Sequence, residues 1–270
     1  MFQFNYSIIQ WLFFFYFYCF CGWCFESAYV SIRTRKLTNR GFMRGPFLPL
    51  YGSGGLMMLI VSAPFRDNIV LTYVAGVIGA TVLEYVTGVV MECLFKVRYW
   101  DYSKRKFNFQ GQICLRSSLA WGFLTIAMTQ LVHEPVEKMV LSIPHSILTI
   151  VTVILSFVIA GDFTLAFKNA LDMRDILIKM SKVRETAVEA ASSVKERAVE
   201  AASTVKATAA DAKHRVSENI QRYVWRTERD RAYHRSVFRG NPSMTTSEKF
   251  KAAFEEFKRS VAEYRKEDED

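Results

Sequence analysis

Four carboxylates, Glu26, Glu84, Glu92 and Asp162, lie inside apolar stretches of the sequence, and four guanidinium groups, Arg40, Arg44, Arg98 and Arg116, fall in the basic loops between them. A charge at the centre of a hydrocarbon layer costs about 2.5–3.5 kcal/mol on insertion scales, so an acid in such a stretch is expected to face a partner or a polar cavity. Acid and guanidinium groups meeting at one depth could do either of two things. They could pair and fix helix positions, or they could line a polar vestibule that takes an anionic or zwitterionic head group or solute.

Other chemistry is poorly provided for. No Walker-type phosphate loop, nucleophile elbow or H-E-x-x-H is present, so the chain carries no ATP site of its own and does not read as an enzyme. Cys21 and Cys24 form a Cys-x-x-Cys and share a helix face with Cys19 nearby, but no His accompanies them, and buried Cys is usually a small apolar residue. His133 and His145 flank a loop without a spaced partner. No cofactor and no metal are expected.

The elements that must position the charged groups are membrane helices. Of the 270 residues 51% are apolar, yet the first 170 hold 14 Lys+Arg and 8 Asp+Glu against 21 and 18 in the last 100, a greasy module followed by a charged one. Apolar segments near residues 8–30, 46–63, 69–95, 117–132 and 144–167 predict an all-α, polytopic membrane protein with about five transmembrane helices in residues 1–170. The first is uncharged from Ile8 to Phe25 and has no Lys or Arg before it, so it reads as a retained span rather than a cleaved signal. Basic loops alternate with poor ones, which by the positive-inside rule places the N-terminus outside and the tail in the cytoplasm. All four acids then fall in the cytoplasmic half.

Two segments have further structure. Gly76, Ala80, Glu84, Gly88 and Glu92 recur every four residues and form one ridge along the third span, where small residues admit a neighbouring helix and Glu84 faces the bundle. Gly45, Pro46, Pro49, Tyr51 and Gly52 open the second span; so many prolines and glycines predict a broken helix or re-entrant entry, of the kind that lines transport sites, or a kinked structural helix.

Asn39-Arg40-Gly41, Gly45-Pro46, Pro49, Tyr51-Gly52, Leu83-Glu84-Tyr85, Trp100-Asp101-Tyr102-Ser103 and Asn108 with Gly111, Ile113, Cys114, Leu115 and Arg116 form a set in order and spacing. By these residues the chain resembles the putative ABC-transporter type IV (CmpB-like) family of bacterial multi-pass membrane proteins. The resemblance covers roughly residues 10–130 and implies a permease-like component that works with a separate ATPase subunit. It adds Asp101 to the charged set of Arg40, Glu84 and Arg116. The loop Lys96–Arg116 interleaves Tyr99, Trp100, Tyr102, Phe107 and Phe109 with cations, which suits anionic lipid, a docking ATPase or a plain solvated loop.

The tail predicts a charged helical segment over 171–240 and an amphipathic helix over 241–270. From Val183 it repeats every 11 residues (Val194, Val205, to Val216), three helical turns per repeat. Tyr223, Trp225, Tyr233 and Phe238 stand among arginines, better suited to anionic lipid than to nucleic acid. Thr245 and Glu248 have capping-box spacing, and Phe250, Phe254, Phe257, Val261 and Tyr264 make an apolar seam for a partner helix or a second copy. Taken together, the sequence reads as a permease component handling an unknown solute or lipid, with membrane lipids, its own copies and an ATPase as partners. The alternatives are a non-transporting scaffold and, further off, an enzyme acting on lipid head groups.

Overall fold

The computed structural model describes residues 6–197 and 228–267, and within them the protein is nearly all helix. Helix α1 (Ile8–Thr34) starts at Ser7, whose hydroxyl accepts the Gln10 N–H while the Gln10 side chain takes the Ser7 N–H, a capping box that satisfies two otherwise orphaned donors. Helix α2 (Pro49–Ser62) ends in a single 3₁₀ turn (Ala63–Phe65). Helix α3 (Ile69–Phe95) is capped by Asn68, whose side chain accepts the N–H groups of Val70 and Leu71. Helix α4 (Leu115–Ala127) passes through a π-helical turn (Met128–Val132) into α5 (His133–Ser142). Helix α6 (His145–Arg197) runs through residue 170 without a break, and α7 (Glu228–Gly240) and α8 (Glu248–Glu267) complete the described chain.

Among the described residues three helices are long and apolar enough to cross a membrane: α1, α3 and the His145–Thr186 part of α6. At about 1.5 Å per residue, the 27 residues of α1 or α3 exceed a hydrocarbon layer of roughly 30 Å. Their outward faces carry exposed Phe25, Ile78 and Phe157, as surfaces meant for lipid do.

The proline-rich entry of α2 is ordered differently from a break inside a helix. Pro46 lies ahead of the helix and Pro49 occupies its first turn, where its missing N–H costs nothing. Irregular backbone is therefore confined to residues 35–48, ahead of the helix. Gly52 sits within regular turns, and its absent side chain lets α1 approach: a Cβ there would lie 2.4 Å from the Cys19 sulfur and 2.7 Å from the Phe15 carbonyl oxygen. Of the third-span ridge, Gly76, Ala80, Glu84 and Gly88 are buried, as is Thr72 one turn earlier, while Glu92 is half-buried. A Cβ on Gly76 would meet Thr125 of α4 at 2.2 Å, which identifies the helix that the ridge receives.

Four two-residue strands do the local fastening. β2 (Asn108–Phe109) and β3 (Ile113–Cys114) make a hairpin within the loop after α3, and β1 (Val97–Arg98) pairs antiparallel with β4 (Thr245–Thr246) far along the chain. Thr245 thus lies in a strand rather than capping α8, which begins at Glu248. The seam of α8 is buried against the chain itself. Phe254, Phe257 and Val261 join Tyr233, Val237 and Phe238 of α7, Met173 and Leu177 of α6, and Phe95 and Val97 at the end of α3 in one core. The expected partner helix is therefore α6 and α7 of the same molecule. Tyr223, Trp225 and the repeat from Val205 to Val216 lie outside the described residues.

Candidate functional site

Where α1, α2, α3 and α6 converge, beneath the loop after α3, they leave a cavity of about 330 Å³. That volume is within the usual range of small-molecule pockets, about 300–1,000 Å³. Its walls are largely apolar and aromatic, including Phe42, Phe95, Tyr99, Phe163 and Phe167, and one end is polar, where Glu26, Arg40, Tyr51, Glu84 and Tyr102 reach the surface.

Each polar group is held by a specific partner. Arg40 lies 3.4 Å from Glu26, whose other carboxylate oxygen accepts the Tyr51 hydroxyl at 2.6 Å. The Arg40 backbone N–H is fixed by the Ser27 hydroxyl at 3.1 Å, and its guanidinium also donates to the Gly240 carbonyl at the end of α7. Asn241 lines the same cavity, so the tail supplies part of its rim.

Glu84 is only 4% exposed and accepts three neutral donors: Tyr102 Oη at 3.1 Å, Trp121 Nε1 at 2.9 Å and Ser117 Oγ at 3.4 Å. Burial first and the Glu84 carboxylate second hold the Tyr102 phenol well above its ordinary range, so this hydroxyl remains the donor. A smaller hollow lined by Gly54, Gly55, Met58 and Ala80 extends past Leu50, Tyr51, Glu84 and Trp121 from the cavity toward the interior of the bundle.

The remaining predicted groups are arranged around this site rather than in it. Glu92 pairs with Arg98 at 2.8 Å and accepts Gln112 Nε2 at 2.6 Å. Asp162 accepts the Gly45 backbone N–H at 2.8 Å, tying α6 to the irregular entry of α2 in place of an ion pair. Arg44 stacks over the Tyr233 ring at 4.9 Å. Asp101 accepts the Ser103 N–H at 2.8 Å and its hydroxyl at 2.5 Å, closing a turn of the loop. Arg116 is exposed on the first turn of α4. The structure thus brings Glu26, Arg40, Tyr51, Pro49 and Glu84 into one cavity and leaves Arg44, Gly45, Pro46, Gly52, Glu92, Arg98, Asp101, Arg116 and Asp162 outside its lining.

Sequence reasoning missed the donors. Trp121, Ser117 and Tyr102 are neutral and were invisible to a search for charge partners. Tyr99, Trp100 and Tyr102 turn from the loop into the cavity, whereas Phe107 and Phe109 stay exposed, a split that alternation of rings and cations does not encode.

A second buried polar group lies toward the other end of α1. His133 is fully buried; its Nδ1 is 2.7 Å from Tyr18 Oη and its Nε2 is 3.1 Å from Tyr6 Oη, and Tyr6 in turn donates to Glu137. This chain of hydrogen bonds calls for a neutral imidazole protonated on Nε2.

Membrane-length apolar helices mark a helical membrane protein, and a half-polar cavity lies between them. Residues 13–167, more than half of the chain and including every residue of the cavity lining except Asn241, match the family model described as Putative ABC-transporter type IV. The chain belongs to that family. No curated protein and no solved structure gave a match.

Proposed function

We propose that the protein is a permease-like component of a transport system of the ABC type, and that the cavity between α1, α2, α3 and α6 is where its solute or lipid binds. The observation that carries this reading is the cavity itself. A membrane scaffold has no need of a space of about 330 Å³ whose one polar end is built from Glu26, Arg40, Tyr51 and Glu84.

In this reading about five segments cross the membrane, the shorter α2 and the α4–α5 rod included, with the N-terminus outside and the tail in the cytoplasm. Alternating basic loops support that orientation. It puts the polar end of the cavity in the cytoplasmic half, next to the docked tail. The loop Lys96–Arg116 is then presented to the cytoplasm with Arg116, Phe107 and Phe109 exposed, a surface suited to an ATPase subunit. With no phosphate loop in the sequence, energy would have to come from such a partner.

The test is purification of the tagged full chain from its native membrane in mild detergent, with identification of stoichiometric partners. A co-purifying P-loop ATPase supports the proposal, and recovery of self-copies or other proteins alone favours the scaffold.

A further inference from the structure

We propose that the cavity selects an organic cation: a ligand with an amine or quaternary ammonium head and an apolar body. This rests on the cavity being the ligand site and adds the chemical class of its occupant.

Two observations point to positive charge. The first is the balance of charge on the wall. Two carboxylates, Glu26 and Glu84, face the cavity against one guanidinium, Arg40, and that guanidinium is already engaged by Glu26 and by the Gly240 carbonyl. Glu84 is met only by neutral donors among its described contacts. A carboxylate offers about four acceptor positions. Three of them are used here, one on Oε1 and two on Oε2, so Oε1 retains capacity for a further donor. An anionic ligand would find no uncommitted cation at this end.

The second observation is independent of charge. Tyr51, Trp100, Tyr102 and Trp121 line the same space as Glu84. Aromatic faces attract ammonium groups through their quadrupole, more strongly where the site is desolvated. The two tyrosines donate their hydroxyl hydrogens to the two carboxylates, Tyr51 to Glu26 and Tyr102 to Glu84, so each ring is anchored beside an acid. Rings and acids converging on one end describe an ammonium cage, and the phenylalanine and leucine walls beyond it accommodate an apolar body.

The experiment is titration calorimetry of the full-length protein in phosphatidylglycerol nanodiscs, with empty discs as blank, using three probes of similar size: benzyltrimethylammonium, benzyl alcohol and benzenesulfonate. The expected result is that the cation binds at least tenfold more tightly than either other probe, and that Glu84→Gln reduces cation affinity at least tenfold without changing that of the alcohol. Thr87→Trp, which fills the cavity from α3, should abolish binding of all three. If Glu84→Gln does not fold, the selectivity of the wild type decides alone. Equal or tighter binding of the sulfonate overturns the cation assignment and leaves the cavity as a ligand site. No binding of any probe to the wild type overturns the assignment and the ligand-site reading together. Repeating the titration with phosphatidylethanolamine in the discs separates two sources of the same chemistry: competition identifies a lipid head group, and its absence a free amine, each in agreement with the proposal.

Discussion

Glu84→Ala is expected to be among the most destabilising substitutions in the membrane helices. Truncation removes the acceptor shared by Trp121, Tyr102 and Ser117 at a position that is 4% exposed. Ser117 has an alternative, the Cys114 carbonyl at 2.9 Å. The Tyr102 hydroxyl keeps a hydrogen-bond partner in Ser117, whereas Trp121 Nε1 has no other acceptor among the described contacts. Leaving a buried donor unsatisfied costs roughly 1–3 kcal/mol, toward the lower figure where the adjoining cavity admits water, and the lost volume of the side chain adds to it. Glu84→Gln retains an acceptor oxygen and should cost clearly less. Thermal unfolding of the purified variants in detergent checks the order, with a fall of several degrees for alanine and a smaller one for glutamine. Equal falls would mean that the hydrogen bonds contribute little beyond the volume of the side chain.

Phe257→Ala should free the tail from the membrane helices. Phe257 is fully buried between α7 and α6, with the Phe238 ring at 5.7 Å and the His234 ring at 5.4 Å. Removing a buried phenylalanine ring costs about 3–5 kcal/mol. At tenfold per 1.4 kcal/mol this raises the undocked population of the tail by about two to four powers of ten. Limited trypsin digestion should show it as accelerated cleavage in 228–267, while Lys251→Gln, exposed on α8, leaves the rate unchanged. The consequence reaches the site, because docking is what places Gly240 on Arg40 and Asn241 on the cavity rim. Cleavage at the wild-type rate in Phe257→Ala would show that the β1–β4 pairing and the remaining core hold the tail alone.

How much of this could be read from the chain depends on the range of the interactions. The four-residue ridge from Gly76 to Gly88 was legible because helix periodicity alone decides which residues share a face, and its burial against Thr125 and Gln112 follows. The pairing of Glu26 with Arg40 was legible as a meeting of opposite charges across a short loop. The proline-rich entry reads as a broken helix, a re-entrant entry or a kinked helix because composition shows how many helix breakers there are. Their placement at the first turn depends on where the chain starts the helix. An acid in an apolar stretch is expected to face a partner or a polar cavity, and at Glu84 and Asp162 the partners are neutral side chains and backbone rather than guanidinium groups. Carboxylates accept any donor, and charge patterning reveals only one kind. The docking of α8 on α6 and the pairing of Val97 with Thr246 join residues far apart in sequence, which local pattern cannot show.

The central claim is that the chain works as a transport component rather than as a scaffold, and the composition of its native complex tests it most directly. Full-length tagged protein, extracted in mild detergent from its own membrane and weighed intact with its partners, should carry a P-loop ATPase in fixed stoichiometry. Charge reversal in the exposed part of the Lys96–Arg116 loop should release that ATPase. Recovery of the protein alone, as self-copies, or with partners that have no nucleotide site would contradict the account and make the same helices, charges and cavity those of a membrane scaffold.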